Sequence, residues 1–257
     1  SAGTISKYRR DLTAFALWLD GRAVTKESAT AWKACLLNRD YAPRTINSML
    51  AAVNGFCRFA GLPIKLKFLS IQRQIFRDSA RELTKEEYDR LLTAARETGQ
   101  ERLALIMETL CATGIRVSEL QYITVEAALA GRATITLKGK IRTILLPAKL
   151  YRKLSKYAKK QKIASGAIFR TKSGKSITRR QVWYELKRLC RAAGVEPTKV
   201  FPHNLRHLFA TTFYRACRDI VRLADMLGHS SIDTTRIYLM VSGAEQQRQL
   251  DRLGLVS

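Results

Sequence analysis

Pro202-His203-Asn204-Leu205-Arg206-His207-Leu208-Phe209 is the stretch on which the fold turns. Proline suits the first position of a helix, where the N–H has no intrahelical partner to lose. A histidine and an arginine three residues apart then lie close together on one face. Leu205, Leu208 and Phe209 form the other face and predict burial against neighbouring helices. The stretch therefore opens a helix over 203–217 with an apolar side and a cationic first turn. His203 and His207 are also spaced as in some zinc sites. Those motifs place glutamate directly after the first histidine, and Asn204 stands there instead. Arg206 would further repel a cation.

Neighbouring segments supply partners for that apolar side. Asp219 is placed to cap a helix over 219–227 that Gly228 stops, and His229 follows in L-G-H-S-S. Nine residues on, Tyr238 ends T-T-R-I-Y on a short helix. Upstream, a helix over 101–112 ends at Gly114. The turn after it projects Arg116 in A-T-G-I-R-V-S-E-L, with Glu119 one turn on to hold the guanidinium. Residues 133–137 and 142–146 read as two strands around a tight Lys138-Gly139-Lys140 turn. Helices are expected over 148–162 and 178–193, and a last amphipathic one over 244–253. This unit starts sharply: Thr84 caps, Glu87 closes a capping box, and Leu83 staples onto Tyr88.

Residues 1–62 carry a separate helical pattern. Ile5, Tyr8, Leu12, Phe15 and Leu19 make one stripe that ends near Gly21. Ala29, Trp32 and Leu36 mark a second helix, and Pro43 opens a third with Ile46, Leu50, Val53 and Phe56 inward. A short four-helix bundle is the expected solution. Arg44, Thr45, Asn47 and Arg58 fall outside the third stripe, free to meet a backbone or base edges. From Ile64 to Arg81 the chain carries Lys65, Lys67, Arg73, Arg77 and Arg81 with little acid. That pattern suits a tether lying against phosphates as well as a solvated helix face. The expected division is 1–77, a helical unit with its basic link, and 78–257, a mainly α unit with one small antiparallel β-sheet.

Charge indicates the partner. Among 257 residues, 46 Lys and Arg oppose 21 Asp and Glu, a formal charge of +25. Such an excess repels itself in a compact fold unless a polyanion offsets it, which points to nucleic acid. A hydrophobic fraction of 46% provides for a core and argues against disorder. Five scattered cysteines without a C-x-x-C pair read as reduced thiols in a cytosolic protein, neither a disulfide frame nor a zinc site. With no signal peptide and no apolar run of bilayer length, a membrane role is not expected.

The cationic residues and Tyr238 fit one chemistry. A phosphodiester attacked at phosphorus gains negative charge on its non-bridging oxygens. Magnesium often offsets that charge, but two guanidiniums on separate elements do the same, since each fits phosphate with parallel N–H bonds. No acidic metal cluster is visible, so neither a metal nor another cofactor is expected. An unperturbed phenol titrates near ~10 and needs such help to act as a nucleophile. The leaving 5′-oxygen needs a proton, which a lysine on the β-turn is placed to supply as general acid.

In order, spacing and flanks these residues resemble the tyrosine recombinase (phage integrase) family. G-I-R-V-S-E-L looks like the family's first arginine motif, and residues 202–207 look like its H-x-x-R box. His229 and Tyr238 are similar to its histidine-or-tryptophan and its nucleophile at the same interval. Tyr184 and Tyr214, the nearest competitors, lack the T-T-x-x-Y context. The family's β-turn reads G-K-G-x-K-x-R, one residue longer than L-K-G-K-I-R here. Lys138 matches the first lysine, and Lys140 stays open as the alternative.

The resemblance implies a catalytic set of Arg116, Lys138, His203, Arg206, His229 and Tyr238. It implies a two-domain clamp around duplex DNA, an N-terminal core-binding domain joined to a catalytic domain. Arg44, Thr45, Asn47, Lys65, Lys67, Arg73 and Lys140 are the expected DNA contacts. Tyr238 would form a covalent 3′-phosphotyrosine, on a homo-tetramer that joins two sites with inverted half-sites through a Holliday junction. The closing helix, with Leu250, Leu253 and Leu255, would dock on a neighbouring subunit or on its own domain. The implied role is integration and excision of a mobile element in a prokaryotic cytoplasm, at the nucleoid. Xer-type chromosome-dimer resolution is the alternative. A type IB topoisomerase and a non-catalytic DNA-binding regulator are the remaining readings.

Overall fold

The computed structural model describes residues 2–71, 79–137, 140–171, 173–238, 247–248 and 251–253, and of Ala2, Ser79, Leu137 and Lys140 the backbone alone. Two compact units divide the chain, Ser1–Gln74 and Ile75–Ser257. Each has a core of its own.

The first unit holds α1 (Ala2–Leu19), α2 (Lys26–Leu37) and α3 (Pro43–Phe59). Thr25 and Ser28 close a reciprocal capping box at the start of α2, and Pro43 opens α3 at its first turn. Phe15, Trp32, Leu36, Ile46, Leu50 and Val53 form the core. The stripe on α1 is buried only in its second half. Ile5 is 70% exposed and Tyr8 39%, because the apolar cluster of α2 and α3 gathers around Phe15 and Leu19.

The described residues of this unit hold three helices where four were expected, and an extended segment, residues 62–71, follows α3. Leu62, Ile64, Leu66 and Leu69 lay their side chains on the core. Two asparagines of α3 grip its backbone. Asn54 accepts from the Leu66 N–H at 2.8 Å and donates to the Leu66 carbonyl at 2.9 Å. Asn47 does the same with Leu69, at 2.7 and 2.9 Å. A carboxamide offers the same donor and acceptor as a peptide group, so each asparagine stands in for a strand partner. The spacing fits: seven helical residues rise about 10.5 Å, and three extended residues span about 10 Å. Asn47 was expected to be free for DNA. Its carbonyl and one N–H are instead engaged with Leu69.

In the second unit, α4 (Lys85–Glu97) begins with the expected box, the Glu87 N–H donating to Thr84 at 3.2 Å and Glu87 accepting from the Thr84 N–H at 2.9 Å. Next come α5 (Glu101–Thr113), a 3-10 helix (Val117–Tyr122), α6 (Val125–Ala130), β1 (Arg132–Leu137), β2 (Lys140–Leu145) and α7 (Ala148–Lys160). Then follow α8 (Arg179–Ala193), α9 (Pro202–Cys217), α10 (Ile220–Leu227), α11 (Ile232–Thr235) and a 3-10 turn (Arg236–Tyr238). Helix α5 is central, against α4, α7 and α9. Its Leu103, Ile106 and Leu110 meet a core that includes Leu91, Leu154, Leu186 and Leu205.

The strands pair antiparallel from Arg132↔Leu145 to Leu137↔Lys140. Strand β2 begins two residues earlier than expected and stops at Leu145, with the Leu146 N–H still bonded to the Gly131 carbonyl opposite it. Helix α6 was not foreseen, since six residues are too short to show a period; Thr124 caps it. Most of the expected last helix, with Leu250 and Leu255, lies outside the described residues, and Leu253 is exposed. All five cysteines are free thiols. Among the described residues no helix is long and apolar enough to cross a membrane.

Candidate active site

Two glycines set the frame. Gly114 ends α5 in the left-handed region, φ +62°, and a Cβ there would lie 2.3 Å from the Phe209 ring. Only glycine lets α5 and α9 approach so closely and still turns the chain outward. Two residues later Arg116 starts the 3-10 helix with its side chain 40% exposed. Glu119, only 1% exposed, holds it: one carboxylate oxygen accepts from Arg116 Nη1 at 3.2 Å, the other from the Arg116 N–H at 2.7 Å. That second oxygen also accepts from Arg142 Nη2 at 2.6 Å. A buried carboxylate persists only with such partners, and here it has two guanidiniums.

Gly228 ends α10 at φ +63°. The last carbonyls of that helix, the negative end of its dipole, are taken by two arginines. Arg142 Nη1 donates to Met226 O at 2.8 Å, and Arg206 Nη2 to Leu227 O at 2.8 Å. Arg206 Nη1 donates to the Gly114 carbonyl, so Arg206 ties both glycine turns together. It is 2% exposed. Burial first, then the nearby Arg116 charge, bring its pKa down to about 10, while the Tyr238 oxygen works the other way. At neutral pH it remains a cation.

His229 follows Gly228. Its Nε2 meets Arg206 Nη2 at 3.0 Å, and its Nδ1 meets Thr235 Oγ1 at 2.9 Å. A guanidinium has donors only, so Nε2 is the acceptor and Nδ1 carries the proton. The charge state agrees: burial, then Arg206, Arg116 and Arg142, hold the His229 pKa down to about 4. His203, one turn before Arg206, is exposed overall. Crowding of its ring, followed by the charges of Arg206, Arg116 and Arg179, lowers its pKa too. Tyr238 is 3% exposed and belongs to a small core with Phe209, Leu223 and Leu227. Its ring lies 4.9 Å from His207, edge to face, and 6.3 Å from His229, stacked.

Arg116, His203, Arg206, His229 and Tyr238 are therefore gathered in one place. Arrayed so, two cations, two neutral imidazoles and a phenol suit a phosphate ester. Lys138 lies outside the described residues, and Lys140 is described by its backbone alone. In the first unit Arg44, Thr45, Lys65 and Lys67 are exposed, Asn47 is committed to Leu69, and Arg73 lies outside the described residues. Arg142 was missed by sequence reasoning. The signal for it was present, as the arginine that ends L-K-G-K-I-R. Among the described residues no three His, Cys, Asp or Glu gather into a metal-binding group.

Comparison with known proteins matches these regions. Residues 81–245 match the Phage integrase family, and residues 1–61 match the Phage integrase, N-terminal SAM-like domain. The chain is 30% identical to tyrosine recombinase XerA of Pyrococcus furiosus, over 100% of this chain and 90% of that protein. It is 32% identical to tyrosine recombinase XerC of Roseiflexus castenholzii, over 93% and 83%. Two solved structures share the fold. XerH site-specific recombinase bound to difH substrate in a pre-cleavage complex gives a TM-score of 0.72 at 19% identity, covering 95% of this chain and 78% of that one. The Tn1549 transposon integrase in complex with transposon right end DNA gives 0.70 at 17%, covering 98% and 94%.

Proposed function

The chain belongs to the phage integrase family of tyrosine recombinases, and from that premise we propose that it cuts and rejoins duplex DNA at a specific site through a phosphotyrosine at Tyr238. The observation that carries the reading is the convergence of Arg116, Arg206, His203 and His229 on that tyrosine. A scissile phosphate enters between the two guanidiniums, which hold its non-bridging oxygens as charge grows on them. The Tyr238 oxygen attacks phosphorus as its proton passes to a neutral imidazole of the site, the bond to the 5′-oxygen breaks, and the departing oxygen takes a proton from the turn lysine, Lys138 or Lys140. The 3′-phosphate stays esterified to Tyr238. A 5′-hydroxyl from a second duplex reverses the step, so the strand is resealed without an external energy source. Once the anion engages Arg206, His229 Nε2 is released. The anion also offsets the charges that depress the histidine's pKa, so His229 gains a proton and donates to the phosphate.

The helical unit up to about residue 77 would hold the duplex through Arg44, Thr45, Lys65, Lys67 and Arg73, and the catalytic unit would add Lys140 at its turn. The function is integration and excision of a mobile element, by four protomers on two sites with inverted half-sites. Chromosome-dimer resolution is the second reading, favoured by likeness to XerA and XerC over nearly the whole chain. The two differ in their DNA. A resolvase joins identical copies of its selected site, whereas an integrase joins its site to an unlike target. Trapping on a nicked suicide duplex tests the chemistry. Tyr238→Phe should abolish the covalent adduct while DNA binding persists, and equal trapping by the variant would place the nucleophile elsewhere.

A further inference from the structure

Strand β2 places Arg142 on its core-facing side. The inward positions Ala133, Ile135 and Ile144 are buried apolar residues, and Arg142, paired with Ile135 across the ladder, takes the next inward place. Its side chain is 15% exposed. Burial of a guanidinium is tolerated only where acceptors wait for it, and those acceptors are Glu119 and the Met226 carbonyl. Gly228 makes the room. A Cβ there would stand 2.7 Å from Arg142 Nη1 and 2.8 Å from its Cδ. One guanidinium thus joins the strand that leads to the lysine turn, the carboxylate that holds Arg116, and the end of the helix that leads to His229.

The other two elements have holds of their own. Arg116 keeps two bonds to Glu119 without Arg142. The end of α10 is closed by the Gly228 N–H on Asp225 O and the His229 N–H on Ala224 O. Among the described residues, the hairpin beyond its apolar base is held by the Tyr122 hydroxyl on Thr136 O and by Arg142. We propose that Arg142 is a positioning residue: it tethers β2 to the arginine site, and proton transfer from the turn lysine to the leaving 5′-oxygen depends on that tether. The inference rests on the proposed cleavage reaction and on the turn lysine as its proton donor.

The test uses the full chain on nicked duplexes of its own selected site, one ordinary and one with sulfur in place of the bridging 5′-oxygen. A thiolate is a far weaker base than an alkoxide and leaves without a proton. Arg142→Met should form adduct roughly 10²-fold more slowly on the oxygen duplex, the scale of general-acid catalysis. Its rate on the sulfur duplex should be little changed, and DNA binding should persist. Arg142→Gln, which keeps a hydrogen bond to Glu119, replaces the Met variant should that one not fold. Equal slowing on both duplexes would mean that Arg142 acts through Arg116 or His229, and unchanged rates on both would mean no positioning at all. Either result overturns the inference alone. A wild-type chain without adduct on either duplex overturns the functional reading as well.

Discussion

At the scale of single residues, the site depends on positions that admit no ordinary substitute. Gly114 is one. Alanine there would be held at φ +62° with its Cβ 2.3 Å from the Phe209 ring. Gly114→Ala should cost about 2–4 kcal/mol, combining left-handed strain with overpacking, as measured by urea unfolding. His229 makes a pH prediction. Burial and three arginines lower its pKa from 6.5 to about 4. The folded chain therefore binds fewer protons at this site than the unfolded chain between those values. Its contribution to stability is complete above about 6.5 and is lost as pH falls toward 4. His203, shifted in the same direction, adds to the slope. Urea melts from pH 7.5 down to 4.5 should show this loss, and His229→Gln should flatten it. A variant with the parent's slope would mean that the proton binds elsewhere.

At the scale of elements, the extended segment held by α3 makes the clearest case. Asn54→Ala strips the Leu66 N–H and carbonyl of their partners at once. It should destabilise the first unit by about 1–3 kcal/mol and speed amide exchange at Leu66; unchanged exchange would show the grip to be incidental. This segment also marks how far a sequence can be read. Local signals were legible: Thr84 with Glu87, Pro202 at a helix start, and Gly114 and Gly228 at helix ends act within a turn of where they stand. So was the site, because its cations and tyrosine flank those same caps. The asparagine grip spans 12 and 22 residues, and nothing at Asn47 or Asn54 shows whether its amide meets solvent, DNA or backbone. Arg142 reaches 84 residues to Met226, so its partner was equally hidden. On α1, a regular stripe did not reveal that only half of it is buried.

At the scale of the whole molecule, the +25 charge dominates. A protein that neutralises six to ten phosphates loses about 10³- to 10⁵-fold in affinity between 50 and 200 mM salt, and this chain should fall in that range when binding is followed by anisotropy. A shallow slope would mean that the excess charge faces away from the duplex. Attraction of this kind is indifferent to sequence, so it brings the chain to any DNA. Tyr238, however, is 3% exposed, and Arg206 beneath it 2%. A passing duplex that merely satisfies surface charge would leave this proposed nucleophile buried beside a small apolar core. On the reaction proposed above, a cut would require contacts that draw the phenol out of that shelter, and fidelity would then be set by an opening step as well as by affinity. A chain built so would patrol a genome without scarring it.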